Sequence, residues 1–95
     1  MYRILVVDDE KQIRDLIAEI LSDEYSVIQA ADGTEAIEIL KHKRPDLIIS
    51  DVSMPNVDGL ELLKYLKGNE ITKYIPFVFL SFKSDVEQEI RGYEL

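Results

Sequence analysis

Four short apolar runs, at residues 4–7, 25–30, 47–49 and 77–80, punctuate this chain, and a stretch of helical period follows each of them. That alternation is the strongest constraint on the fold. Parallel strands cannot be joined by a tight turn and need a long crossover, which is most often a helix. The first helical stretch carries Ile13, Leu16, Ile17, Ile20 and Leu21, an i, i+3, i+4, i+7, i+8 apolar stripe. The second opens with Asp32 and Glu35 at capping-box spacing, then places Ala36, Ile37 and Leu40 on one face. Asp58 with Glu61 repeats the device before Leu60, Leu63 and Leu66, and Ser84 with Glu87 repeats it before Ile90. Gly68-Asn69 is expected to close the third helix. The run Lys41-His42-Lys43-Arg44-Pro45 is expected to close the second, with cations on its negative end.

The order is therefore βαβαβαβα, an α/β chain with a parallel sheet. The near-continuous aliphatic runs predict strands buried on both faces. Right-handed crossovers with helices on both faces give a doubly wound, flavodoxin-like sheet of order 2-1-3-4. In that order the first strand is central, and the switch point lies between strands 1 and 3. Ligands bind outside the carboxyl ends of strands at such a point.

Ninety-five residues suffice for one core, and no repeat, low-complexity tract or linker divides them, so residues 1–95 read as a single domain. The net charge of −8 argues against general attraction to nucleic acid or an anionic membrane, and is compatible with a cation site or a basic partner. Without cysteine there is no disulfide framework and no thiolate chemistry. The apolar run near the N-terminus is too short for a signal sequence or a membrane span, so the expected location is the cytoplasm.

At the strand ends the chemistry concentrates. The first strand runs directly into Asp8, Asp9 and Glu10, the third ends in Asp51 and the fourth in Ser81. Taken alone, the acidic triplet reads equally as a solvated turn with a helix N-cap. A further aspartate at the end of the adjoining strand favours a site. Carboxylates this close cannot all remain ionised without a cation or a raised pKa. An oxygen-only donor set points to a hard cation, best Mg²⁺. A carboxylate beside that ion can act as a nucleophile toward phosphorus, while a hydroxyl hydrogen-bonds a phosphoryl oxygen.

"ILVVDDE", "DLIISDVSMPNVDG" and "PFVFLS" together resemble the receiver (CheY-like) domain of two-component response regulators, over residues 3–95. The resemblance implies that Asp51 is the phosphoacceptor and that Asp8, Asp9, Asp51 and the backbone carbonyl of Ser53 hold Mg²⁺. It also implies that Ser81 stands where the family places a Thr or Ser that moves toward the phosphoryl group. The phosphodonor would be a sensor histidine kinase or a small molecule such as acetyl phosphate, and an output domain or target protein would read the change. Catalysis would be confined to self-phosphorylation and autodephosphorylation, so the chain is not expected to be an enzyme.

The same resemblance leads one to expect a fifth strand, a Lys-Pro pair and a fifth helix beyond Leu95, so this chain reads as C-terminally truncated. Lys83 is the nearest substitute for the phosphoryl-clamping lysine, although it reads first as a solvated loop charge. Strand 4 would then be a hydrophobic edge, and the expectation is a homo-oligomer or strand-exchanged dimer that covers it. The competing function is a receiver-like assembly module that is not competent for phosphorylation. An aspartyl-phosphate hydrolase acting on external substrates is disfavoured, because adjacent acids replace the DxD spacing and no cap domain is present. His42 reads as a surface histidine, Tyr74, Phe77, Phe79 and Phe82 as packing, and no glycine-rich nucleotide motif occurs.

Overall fold

The computed structural model describes residues 1–80. Seven elements follow one another as β1 (Arg3–Val7), α1 (Lys11–Leu21), β2 (Ser26–Ala30), α2 (Gly33–Leu40), β3 (Leu47–Asp51), α3 (Gly59–Lys67) and β4 (Phe77–Leu80). All strand pairs are parallel and the order is β2-β1-β3-β4, as the doubly wound reading requires. The fourth helical stretch, with Ser84, Glu87 and Ile90, lies outside the described residues, as do Ser81, Phe82 and Lys83. So does whatever adjoins the outer side of β4. Among the described residues no helix is long and apolar enough to cross a membrane.

The helix starts follow their caps. At α3 both arms of the box form: Asp58 Oδ1 accepts from the Glu61 N–H at 2.9 Å, and Glu61 Oε1 accepts from the Asp58 N–H at 3.2 Å. At α2 the Asp32 arm is present, with Oδ1 accepting from the Glu35 N–H at 2.8 Å. Gly68 caps α3, and the hydroxyl of buried Thr72 donates to the Leu66 carbonyl at 2.9 Å, satisfying an orphan acceptor of the last turn. Past α2, Arg44 Nη1 donates to the Leu40 carbonyl, the role its position beyond the helix end suggests.

One face of the sheet carries the main core. Leu5, Val7 and Ile48 pack there against Ala36 and Leu40 of α2, Leu62 and Leu66 of α3, and Met54 of the loop before α3. Ile4 and Val6 point the other way, where α1 covers them. The expectation that every strand is buried on both faces holds only for β1; β3, although also flanked by a strand on each side, alternates buried and half-buried residues. β2 is half-exposed, and Val78 of β4 is 36% exposed while its neighbour Phe79 is 7% exposed. The physical reason is coverage: α1 packs over β1 and β2 and is the only helix on that face among the described residues.

The stripe read on α1 also needs correction. The half-buried positions are Ile13, Arg14, Ile17, Ala18 and Leu21, whereas Leu16 is 50% and Ile20 67% exposed. The sheet-facing stripe is thus rotated toward Arg14, and a cation lies where the apolar period places none.

Candidate functional site

Register alone brings the acids together. Val7 pairs with Ser50 across β1 and β3, so Asp8 and Asp51 emerge side by side at the carboxyl edge of the sheet. The Asp8 N–H still donates to the Ala30 carbonyl at 3.1 Å, one rung past the end of β1. Asp8 is 3% exposed and its Oδ1 accepts from the Glu10 N–H at 2.8 Å. Asp9 is exposed and Asp51 half-buried. One carboxylate oxygen from each of the three lies within 4.8 Å of the others. Among the described residues, no basic side chain forms an ion pair with any of them.

Their titration reflects this crowding. Burial raises the Asp8 pKa above the usual carboxylate value; the Glu10 N–H opposes it, and the charges of Asp51, Asp9 and Glu10 add to it. Burial raises Asp51 as well, against the N–H groups of Ser53 and Val52, with Asp9 and Glu10 contributing further repulsion. Concentrated, uncompensated negative charge on hard oxygens fits a small divalent cation. Ser53 follows in the loop after β3. Its N–H reaches Asp51 Oδ1 at a long 3.4 Å, and its carbonyl accepts no hydrogen bond from any described residue.

Residues 52–58, which follow Asp51, form a pinned loop. The Gly59 N–H donates to the Val52 carbonyl at 2.9 Å, Met54 is buried, and Asn56 takes a left-handed φ of 66°, which asparagine tolerates. A Cβ at Gly59 would collide with the Asp51 carbonyl oxygen, and one at Gly33 with the Val57 carbonyl. Only hydrogen fits at these two points, so α2 and α3 both begin hard against the segment that carries Asp51. His42 sits exposed just beyond α2, its N–H bonded to the Ile39 carbonyl, at the sheet edge opposite the acids. The surface reading of His42 stands.

Residues 4–95 match the family model of the response regulator receiver domain. The chain belongs to that family. It is 38% identical over 93 residues to the response regulator Rre1 of Synechocystis and, over the same number, to MprA of Mycobacterium tuberculosis. Those alignments cover 96% and 97% of this chain but 40% of each relative, so the chain spans less than half of their length. Among solved structures, the chemotaxis protein CheY4 of Vibrio cholerae superposes with a TM-score of 0.88 at 36% identity, covering 99% of this chain and 79% of that one. The N-terminal receiver domain of a response regulator from Methanoculleus marisnigri gives the same score and identity, over 99% and 77%. Receiver domains are phosphoacceptors rather than conventional enzymes, and the acidic cluster of this receiver could hold a metal ion.

Two contributors to the site escaped the sequence reading. Arg14 carries no sequence signal of a role here, yet its Nη1 donates to the Asp8 carbonyl at 2.8 Å. Gly59 ends the motif "DLIISDVSMPNVDG", but nothing local in the sequence reveals that its missing Cβ makes room for the Asp51 carbonyl.

Proposed function

We propose that this receiver domain is a phosphorylatable switch of a cytoplasmic two-component system, accepting a phosphoryl group on Asp51 from the phosphohistidine of a sensor kinase. The observation that carries the reading is the trio Asp8, Asp9 and Asp51 at the switch point of the sheet, with which no basic side chain among the described residues forms an ion pair. Asp8, Asp9, Asp51 and the Ser53 carbonyl would hold Mg²⁺. When bound, Mg²⁺ supplies positive charge beside the acceptor and offsets that of the incoming phosphoryl oxygens. A carboxylate oxygen of Asp51 attacks phosphorus in line with the departing imidazole. The O–P bond forms as the P–N bond breaks, and the imidazole nitrogen takes a proton from water.

The chain's own groups prepare that step. Asp8, held by the Glu10 N–H and nearly inaccessible, is a fixed acceptor, whereas exposed Asp9 stands at the open side of the cluster. Burial, with neighbouring negative charge adding to it, holds the Asp51 pKa up, which disfavours its ionised, nucleophilic form until a cation is present. Ser81 is assigned the hydroxyl that hydrogen-bonds a phosphoryl oxygen. An output domain or target protein would read the resulting change.

Incubation with acetyl phosphate and Mg²⁺, followed by intact mass measurement, tests this. One phosphoryl adduct is expected, and it should vanish in Asp51→Asn. Mg²⁺ binding without any adduct would overturn the phosphoacceptor reading and leave an interaction module.

A further inference from the structure

The Asp8 carbonyl lies at the point where β1 loses its neighbour. The Asp8 N–H still bonds the Ala30 carbonyl, but β2 ends at Ala30, and among the described residues no further backbone donor reaches the Asp8 oxygen. A strand-end carbonyl enclosed by a helix must find another donor or remain unsatisfied. Arg14 provides it. From the sheet-facing side of α1 its Nη1 donates to the Asp8 carbonyl at 2.8 Å, while Nε approaches Gln29 Oε1 of β2 at 3.4 Å. Among the described residues it is the only basic side chain bonded to the segment from Asp8 to Glu10.

The geometry points to Arg14 as a positioning residue of the acidic site: it supplies the last rung of β1 and so fixes the plane of the Asp8–Asp9 peptide. That plane sets where both carboxylates point. The Asp8 N–H is held by Ala30, its carbonyl by Arg14, and its side chain by the Glu10 N–H. Gln29 steadies the other edge of the guanidinium. The inference rests on the proposed Mg²⁺ site, and its sign separates it from simple electrostatics. Removing a cation near a cation site should tighten Mg²⁺ binding if charge alone mattered. Removing a group that orients two ligands should weaken it.

Mg²⁺ titration by calorimetry, on the whole chain without any phosphodonor and well below the melting temperature, reads this directly. Arg14→Ala is expected to weaken binding by about tenfold, the lower end of what outer-shell partners contribute. Arg14→Lys, which can reach one acceptor but not two, should recover part of the loss, and Gln29→Leu should show a smaller loss of the same sign. Thermal unfolding in EDTA runs alongside. Unchanged or tighter Mg²⁺ binding in Arg14→Ala, whatever its melting temperature, overturns the inference. If Arg14→Ala does not fold, wild-type affinity in both Arg14→Lys and Gln29→Leu overturns it equally. A wild-type chain that binds no Mg²⁺ removes the proposed site itself, and the inference with it.

Discussion

Neutralising Asp8 should stabilise the metal-free protein. Asn is nearly isosteric and keeps an Oδ1 to accept the Glu10 N–H, now bonded at 2.8 Å, so Asp8→Asn removes charge and little else. With acceptor oxygens of the three aspartates within 4.8 Å of one another, an effective dielectric of roughly 20–40 gives about 2–3 kcal/mol of repulsion per pair. Solvent and salt on the open Asp9 side reduce the net relief to about 1–2 kcal/mol, and each kcal/mol corresponds to about 4–8 °C in a domain of this size. The pH dependence has a definite sign. Because the folded pKa of Asp8 is raised, the folded state binds its proton more tightly than the unfolded chain does. Stability is therefore fully present below the unfolded value of about 3.9 and is lost as pH rises through the folded pKa. Thermal unfolding followed by circular dichroism in EDTA should show Asp8→Asn above wild type at neutral pH, with the gap closing toward acid. Mg²⁺ should raise the wild type more than the variant. A variant that melts at or below wild type at neutral pH without metal would refute the claim that the cluster is strained by its own charge.

Gly59→Ala should act against that strain's backbone frame, since its Cβ meets the Asp51 carbonyl and the Phe79 ring. Overpacking of about 1–3 kcal/mol is expected in urea denaturation, together with weaker Mg²⁺ binding. Asp58→Ala removes the side chain that accepts from the Glu61 N–H but leaves the residue-58 N–H bonded to Glu61 Oε1, so it should cost about 1 kcal/mol in the same assay, as should Asp32→Ala at the single-armed cap of α2.

Much of this could be read from the sequence because it depends on local chemistry. The strands, the caps at Asp32 and Asp58, and the order β2-β1-β3-β4 follow from period, capping residues and crossover rules. The meeting of Asp8 and Asp9 with Asp51 followed from topology, since residues at the ends of adjacent parallel strands must be neighbours. What remained hidden depends on three-dimensional coverage. Leu16 and Ile20 fit the apolar period as well as Ile13 and Ile17 do, and only the placement of α1 over β1 and β2 decides which pair is half-buried and which exposed. Arg14 was invisible for the same reason: a strand-end carbonyl short of a donor leaves no mark in the sequence. Thr72, buried against the last turn of α3, sits in a turn whose composition predicts exposure.

The central place of β1 also sets a timetable. Arg3 pairs with Ser26, but Ile4 must wait for Leu47, so the first strand of the chain gains its second neighbour only after two helices and another strand have passed. Pairings so distant along the chain close slowly. Asp8 and Asp9 are harmless to one another's surroundings until β3 arrives, and Asp51 arrives with it. Assembly of the acidic cluster and the joining of β3 to β1 are therefore one event, and the like charges gathered there act as a brake on that docking step. If the cluster takes Mg²⁺ as proposed, a dissolved ion would release the brake, so folding of this domain should be faster in its presence and the ion should leave its mark on the clock as well as on the balance.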